Sequence, residues 1–260
     1  MLITLSPSKG QDFETATPSD IHTIPTQLED SQLLINEAKK LDMREVRELM
    51  SVSENISTLN VERFNSWNMP FNTENAKAAL FAFKGDVYSG IQKDKYSDND
   101  LNYAQEHLRI LSGLYGALRP MDLIQPYRLE MKTGLQNSRG NNLYQFWGDR
   151  ITEKLNETLQ DHSEKVLVNL ASMEYFKSVK PKVLDAKLLN ISFKETKDDK
   201  TRVIAIFAKR ARGMMTDFIL RNRIEKAEDI KDFGKGGYKF SDKESTENNW
   251  VFTRLQPEKK

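Results

Sequence analysis

Short apolar runs typical of β-strands occur at the beginning, in the middle and near the end of this chain, and segments with helical periodicity separate them. The runs are Met1–Ser6, Ala78–Phe83, Lys165–Ala171, a pair at Leu188–Glu195 and Arg202–Ala208, and two closing runs at Tyr238–Phe240 and Trp250–Arg254. Strands this far apart in sequence bury their apolar faces by joining one sheet with helices packed against it. The pattern therefore predicts an α/β fold (mixed α+β) around a mixed sheet.

The segments between the strands carry apolar residues at helical spacing. Ser97 and Asp100 have the spacing of a capping box, which opens a helix that we expect to run through Leu111 and to end at Ser112-Gly113. The other predicted helices are Gln27–Leu41, Asp42–Met50, Ser53–Trp67, Asn142–Leu159, Ala211–Asn222 and Ala227–Phe233. The first three of these are close together in sequence and predict a helical lobe.

Composition and patterning narrow the class of protein. Hydrophobic residues make up 38% of the chain and charged residues 30%, which is typical of a globular protein with a polar surface. Because no linker or repeat interrupts the pattern, we expect one compact domain over 1–255 and a flexible tail over 256–260. No signal-peptide pattern and no run of about 20 apolar residues occurs, so we expect a cytoplasmic protein without a membrane partner.

The chain contains no cysteine, which excludes disulfides, thiolate metal sites and cysteine nucleophiles. Its histidines, His22, His107 and His162, have no ligand spacing, and no dinucleotide-binding fingerprint occurs. We therefore expect no metal site and no cofactor. With 39 basic and 38 acidic residues, only local clusters of cations can indicate a nucleic-acid partner.

The first such cluster surrounds two glycines in the run LRILSGLYGALRP. The residues concerned are Arg109, Gly113, Tyr115, Gly116 and Arg119. We interpret the run as a helix that ends at Gly113, followed by a hairpin whose amides face a phosphate, as in helix-hairpin-helix modules. Two alternatives stay open: an ordinary helix that ends at a glycine, and a strand that begins at Arg109.

Tyr127 and Arg128 follow Pro126, and this sequence is typical of a turn. A tyrosine ring beside a guanidinium suits nucleic-acid bases and phosphates. The alternative is a packed tyrosine next to a surface ion pair between Arg128 and Glu130.

Lys209, Arg210 and Arg212 place three cations within four residues. They follow the predicted strand that ends at Ala208 and precede the predicted helix that begins near Ala211. Strand ends and helix N-termini are where α/β proteins bind anions, so we interpret these cations as part of a phosphate-binding cleft. The alternative is a solvated run of charge.

Lys9 lies in the loop Ser6–Gly10, directly after the first predicted strand. A lysine at this position is suited to join a cleft at the edge of the sheet, although the loop lacks the glycine spacing of a Walker A motif. The alternative is an exposed lysine without a partner.

Several long motifs, taken in order, resemble those of the YaaA-type peroxide-stress proteins of bacteria. They are MLITLSPSK at 1–9, FKGDVYSG at 83–90, LRILSGLYGALRPMDLIQPYRLEM at 108–131, LYQFWGDRIT at 143–152, VNLASMEYFKSV at 168–179, KRARGMM at 209–215, and GYKF and VFTR near the end. The resemblance covers almost the whole chain. Ser8 and Gly10 stand where the family has Ala and Thr, and Ser172-Met173 stands where it has Ser-Asn. These differences leave the basic residues of the motifs unchanged.

The resemblance implies a compact mixed α/β shape with a basic cleft and a helix-hairpin-helix-like element. It also implies binding to double-stranded DNA, including distorted or branched forms. In the cell it implies a role during hydrogen peroxide stress, in which free intracellular iron is lowered and Fenton damage to DNA is limited.

The leading hypothesis is therefore a DNA-binding stress protein. The residues predicted to form its DNA-binding surface are Lys9, Arg109, Gly113, Tyr115, Gly116, Arg119, Tyr127, Arg128, Lys209, Arg210 and Arg212. The alternative is an enzyme that acts on a small anionic or nucleotide-like substrate in the same cleft. In that case Lys9 or Lys209 would be the reactive lysine, and Tyr127 or Tyr175 would donate protons.

Overall fold

Residues 1–198 and 200–257, which the computed structural model describes, form twelve strands and nine α-helices. The strands are β1 (Leu2–Leu5), β2 (Gly10–Gln11), β3 (Lys77–Ala78), β4 (Phe83–Lys84), β5 (Leu108–Ser112), β6 (Gly116–Leu118), β7 (Leu123–Ile124), β8 (Val166–Asn169), β9 (Lys187–Lys197), β10 (Lys200–Arg202), β11 (Lys239–Phe240) and β12 (Asn249–Leu255). The helices are α1 (Leu28–Ala38), α2 (Met43–Met50), α3 (Glu54–Ser66), α4 (Ala79–Ala82), α5 (Asp98–His107), α6 (Leu143–Trp147), α7 (Arg150–Gln160), α8 (Met173–Phe176) and α9 (Ala205–Arg221).

Five parallel strands form the centre of the main sheet, and antiparallel strands extend it. The order is β11-β12-β9-β8-β1-β5-β6, and β10 pairs with β9. β1 is parallel to β8 on one side and to β5 on the other. Its residues point alternately to the two faces of the sheet and all four are buried, so both faces are covered. The predicted mixed α/β fold is confirmed as a single compact domain, while the boundary at 255 stays a prediction.

The carboxyl ends of β1, β5 and β8 lie at the same edge of the sheet because these strands are parallel. We call this edge the carboxyl edge. β9 extends past it, since Asn190 pairs with Asn169 at the end of β8 and β9 continues to Lys197. Loops that follow parallel strands at such an edge are where α/β proteins build sites.

The N-terminal helices form the predicted lobe. Asp42 caps α2 in a capping box with Glu45, and α2 packs on α3. Trp67, which follows α3, donates a hydrogen bond from Nε1 to the hydroxyl of Tyr115 at 3.0 Å. Because Tyr115 lies between β5 and β6, this buried bond fixes the lobe to the sheet.

Two predicted elements differ in the structure because their apolar runs fit more than one period. Ala78–Phe83 was expected as a strand, but its alanine-rich centre forms the short buried helix α4 between β3 and β4. The predicted helix Asn142–Leu159 is divided into α6 and α7. Gly148, with φ of 51°, breaks it between them.

The capping box at Ser97 and Asp100 is confirmed, but the helix that it opens ends at His107. Leu108–Ser112 is instead the strand β5, which pairs with β1 and β6. The pairing with two neighbours decides between helix and strand for a run whose own pattern allows both.

An antiparallel pairing near residue 198 is present as β9 and β10, but the predicted second strand Arg202–Ala208 is wrong, because β10 covers only Lys200–Arg202. Asp199 lies outside the described residues. After β10, α9 begins at Ala205. The expected closing strands are present as β11 and β12, whereas residues 258–260 of the expected tail are outside the described range. Across residues 1–198 and 200–257, no helix has both the length and the apolar character needed to cross a membrane.

Candidate functional site

Three cations at the carboxyl edge surround one buried carboxylate. The side chain of Glu130 lies 3.0 Å from Nζ of Lys9, 3.3 Å from Arg128 and 3.6 Å from Lys132. We call these four residues the Glu130 cluster. With three positive charges and one negative charge, the cluster has a net charge of +2.

Glu130 is ionised in this arrangement. Burial favours the neutral acid, but the hydrogen bond and charge of Lys9, with the charges of Lys132 and Arg128, outweigh it and lower the pKa of Glu130 below its usual value. A charged Glu130 holds Arg128 in place while Lys9 and Lys132 keep more than half of their side-chain surface exposed. Nε of Arg128 is buried and, in the part of the chain that the structure describes, has no hydrogen-bond partner.

Lys9, Arg128 and Glu130 line a cavity of only about 10 Å³, which Tyr127 and Tyr175 also border. A single water needs about 10–15 Å³. This cavity therefore has no room for a small-molecule substrate. On another side, Arg128, Glu130 and Lys132 border a cavity of about 160 Å³, which is still below the usual range of about 300–1,000 Å³ for small-molecule sites.

Tyr127 is not available as a stacking platform. Its ring is 4% exposed and packs edge-on against Phe83 and Tyr115, and its hydroxyl is 2.7 Å from Oγ of Ser112. Burial raises the pKa of Tyr127 well above its usual value. The predicted contact between this ring and DNA is wrong, because the protein core covers the ring.

The glycine-containing run is a β-hairpin, so the helix-hairpin-helix interpretation of this segment is wrong and the open alternative of a strand is confirmed. All residues from 108 to 118 are buried. The amides of Leu114 and Tyr115 donate to Oγ of Ser112 at 3.2 and 3.0 Å, and that of Ala117 donates to Gln27 at 2.9 Å.

The two glycines serve packing instead of phosphate binding. A Cβ on Gly113 would overlap the carbonyl oxygen of Leu129, and Gly116 has φ of 69°, where a side chain is strained. The predicted DNA contacts of Gly113, Tyr115 and Gly116 are therefore wrong.

Arg109 and Arg119 lie away from the Glu130 cluster, on a cavity of about 720 Å³ that also borders Met1 at the start of β1. Arg109 is buried and donates to the carbonyl oxygens of Gln105 and Leu108 at 2.6 and 2.8 Å, at the C-terminus of α5. Burial lowers the pKa of Arg109 to about 10. Arg119 pairs with Asp122 through two nitrogens, at 2.7 and 3.0 Å.

Four exposed carboxylates border the same cavity and would repel a phosphate backbone. They are Glu106, Glu157, Asp161 and Glu225. The prediction that Arg109 and Arg119 flank a phosphate-binding hairpin is wrong, because both arginines are held by the fold in an acidic surrounding.

His107 and His162, which are far apart in sequence, meet at this end of the sheet. Their ring centroids are 4.6 Å apart, and Nδ1 of His162 is 2.8 Å from the amino group of Met1. Burial and the adjacent amino terminus lower the pKa of His162 to about 4. Within the described ranges, no group of three or more His, Asp or Glu side chains is arranged to hold a metal ion.

Lys209, Arg210 and Arg212 lie inside α9, not at its start as predicted, because the helix begins at Ala205. Lys209 and Arg210 are exposed, and Arg212 is partly buried, which lowers its pKa. Among residues 1–198 and 200–257, no carboxylate lies within 4 Å of these three cations, and their side chains make no hydrogen bond. We call them the α9 cations.

Residues 84–90 connect α9 with the loop of Lys9. Gly213 of α9 packs directly on the backbone of Val87, the hydroxyl of Tyr88 donates to the carbonyl oxygen of Ser6 at 3.1 Å, and Oγ of Ser8 donates to the carbonyl oxygen of Lys84. The structure thus brings Lys9 and Arg128 together and joins α9 to their loop. None of the α9 cations lines the cavity around Lys9.

Sequence reasoning missed Lys132 as a member of the site, and it named Glu130 only in the alternative ion pair with Arg128, which the structure confirms. A signal was present, because Arg128, Glu130 and Lys132 are charged residues at every second position. In an extended chain, alternate residues point to the same side. That spacing places all three charges on one face of the segment.

The fold and the site define an α/β protein with a basic surface at the carboxyl edge of a mixed sheet. A family model described as "Peroxide stress protein YaaA" matches residues 1–244. A protein of Cellvibrio japonicus (strain Ueda107) named "UPF0246 protein" is 50% identical over 257 residues, which cover 99% of this chain and 100% of that relative. The chain belongs to the YaaA family of peroxide stress proteins, as its motifs indicated.

Proposed function

We propose that this protein binds double-stranded DNA, including distorted or branched forms, through the α9 cations Lys209, Arg210 and Arg212 and through Lys9, Arg128 and Lys132 of the Glu130 cluster. Binding depends on phosphates and is largely independent of sequence. The observation that carries the proposal is the set of α9 cations, which lack acidic partners among the described residues.

Two cations on other helices, Arg44 of α2 and Lys154 of α7, contrast with the α9 cations. Arg44 lies 3.0 Å from Glu48, and Lys154 lies 2.6 Å from Glu157, so each of these charges is locally balanced. The acidic residue within α9, Asp217, is buried and paired with Lys235 at 2.6 Å. The charge of the α9 cations therefore extends into solvent, where it attracts a polyanion.

The Glu130 cluster supports the same function by presenting cations in fixed positions. The carboxylate of Glu130 orients Lys9 and Arg128, so less side-chain entropy is lost when they meet a phosphate. The cluster has a net charge of +2 when the negative charge of Glu130 is included, so it still attracts phosphate.

Binding is tested by fluorescence anisotropy with labelled duplex, four-way-junction and single-stranded DNA. We expect the Lys209→Ala/Arg210→Ala variant, which changes exposed residues, to bind duplex at least about tenfold more weakly at low salt. The control Arg44→Ala/Lys154→Ala loses the same charge from paired cations and is expected to bind like the wild type. Equal weakening in both variants, or in neither, would contradict the proposal.

We propose further that the protein lowers free intracellular iron during peroxide stress and thereby limits Fenton damage to DNA. The name of the family supports a role in this stress. In a strain without the gene, we expect more iron detectable by electron paramagnetic resonance after peroxide treatment, and restoration by the wild-type gene. An iron level that does not respond to the gene would contradict this part of the proposal.

A further inference from the structure

Another cavity, of about 510 Å³, lies between α3 and the segment 11–14. Its volume is within the range of about 300–1,000 Å³ that is typical of small-molecule sites. The apolar side chains of its wall are Phe13, Leu59, Trp67 and Pro126. These surfaces suit a flat, apolar ring.

One face of α3 forms a wall of this cavity. Leu59, Glu62, Arg63 and Ser66 line it at positions i, i+3, i+4 and i+7. This face differs from the one that α3 buries in the core, which carries Ser57, Asn60 and Phe64. Leu59 is 42% exposed, although it is a large apolar residue. The cavity therefore has a helix face that the fold does not use for its own packing.

Arg63 is the feature that indicates the charge of a ligand. In the described ranges its guanidinium has no carboxylate within 4 Å and donates no hydrogen bond. Partial burial and the nearby charge of Arg128 lower the pKa of Arg63. An anionic group that enters the cavity would supply the missing partner, with charge-assisted hydrogen bonds.

The remaining polar groups of the wall suit hydrogen-bond donors. Asp12 is occupied, since its carboxylate accepts from Thr15 and lies 3.1 Å from Lys84. Glu14 and Glu62 make no ion pair with any described residue, so their carboxylates are available to amino groups. Three carboxylates and two cations, Arg63 and Lys84, line the cavity, a balance that disfavours a polyanion.

We propose that this cavity binds a mononucleotide-like molecule: a planar, amino-substituted heteroaromatic ring that carries one anionic group. The ring lies among Phe13, Leu59 and Pro126, the anionic group pairs with Arg63, and the amino group donates to Glu14 or Glu62. None of these residues belongs to the α9 cations or the Glu130 cluster, so the inference is independent of DNA binding.

The test uses adenosine 5′-monophosphate as probe in isothermal titration calorimetry. We expect a dissociation constant of about 1 mM or tighter. Adenosine alone and inorganic phosphate alone are expected to bind at least about tenfold more weakly, because each lacks one half of the recognition.

Variants of the cavity residues test whether the probe binds in this cavity. Arg63→Met is expected to weaken binding at least about tenfold, while Arg47→Met, an exposed arginine on α2, leaves it unchanged. Leu59→Trp changes a position that is already 42% exposed and fills the cavity, so it is expected to abolish binding without unfolding the protein. The thermal midpoint of each variant checks its fold.

Three results would overturn the proposal. The first is no binding of the probe at about 5 mM, well above the expected dissociation constant. The second is inorganic phosphate that binds as tightly as the nucleotide, which would show that the ring is not recognised. The third is binding that survives Arg63→Met or Leu59→Trp but is lost in Lys209→Ala/Arg210→Ala, which would place the nucleotide on α9.

Discussion

Replacing Gly213 with alanine is expected to destabilise the protein, although alanine is normally the better residue inside a helix. Gly213 lies in the middle of α9, where it packs on Val87 and Gly90. A Cβ at this position would overlap the carbonyl oxygen of Val87, and it would lie 2.9 Å from its carbonyl carbon and 3.1 Å from Cα of Gly90. These are backbone atoms, so no side-chain rotation can relieve the overlap.

Two opposing terms set the magnitude. Alanine in place of glycine gains about 1 kcal/mol from helix propensity. Overpacking against a closely packed neighbour costs about 1–3 kcal/mol, and a backbone neighbour places Gly213→Ala at the upper end. The expected net loss is about 1–2 kcal/mol, which lowers the thermal midpoint of a chain of this size by about 2–8 °C.

The assay is thermal and urea unfolding followed by circular dichroism. Gly234→Ala is the matched control, because a Cβ there meets nothing within 4 Å and the φ of Gly234 is −128°, which alanine adopts without strain. We expect this control to be neutral or slightly stabilising. A Gly213→Ala variant as stable as the wild type, or more stable, would refute the close contact between α9 and residues 87–90.

Further substitutions test the site and the fold. Glu130→Gln makes the net charge of the Glu130 cluster more positive, yet we expect weaker DNA binding by anisotropy, because Lys9 and Arg128 lose the carboxylate that orients them. Tighter binding by this variant would show that Glu130 only neutralises charge. The pKa of His162 is lowered to about 4 in the folded protein, from the usual 6.5. Between these two pH values the unfolded chain binds more protons than the folded protein, so the free energy of unfolding falls as pH falls through this window. His162→Gln is expected to flatten that dependence in urea titrations at about pH 7.5 and about pH 5, and an unchanged slope would assign the dependence to other groups. Gly113→Ala forces a Cβ onto the backbone of Leu129 and is expected to lower stability by about 1–3 kcal/mol in urea unfolding, whereas a phosphate-binding role alone would leave stability unchanged.

Local signals identified much of the fold from the sequence. β1 and β8 are short apolar runs bounded by polar loops, and both were predicted within two residues of their observed ends. The capping box at Ser97 and Asp100 also marked a helix start correctly, since Oγ of Ser97 accepts from the amide of Asp100 at the start of α5. Such features depend on neighbours within a few residues, so one sequence is enough to show them.

Features that depend on distant partners were not predictable in the same way. Leu108–Ser112 became a strand because β1 and β6 lie on its two sides, and a helical pattern in the same residues gave no sign of either. The burial of Arg109 follows from that pairing, since the start of β5 carries its side chain toward the C-terminus of α5. The charge clusters, by contrast, were visible in the sequence, but whether a cation is free or paired depends on carboxylates that the fold brings close.

The Glu130 cluster illustrates the same limit at the site. Lys9 and Arg128 are 119 positions apart, and the sequence indicated both as cations of a cleft. Their shared contact with Glu130 appears only when the loop after β1 meets the segment after β7. The types of residue at the site were therefore predictable, and so was the ion pair of Arg128 with Glu130 as an alternative, while the contact of Lys9 with the same carboxylate was not.

The most direct test of DNA binding through α9 is the salt dependence of duplex affinity for the wild type and for Lys209→Ala/Arg210→Ala. Each phosphate contact contributes about 0.9 to the slope of log K against log salt concentration. If both cations meet phosphates, the slope of the variant is expected to be smaller by about 1.8. Equal slopes for the two proteins, or a wild-type affinity that does not respond to salt, would contradict the assignment of the α9 cations to DNA.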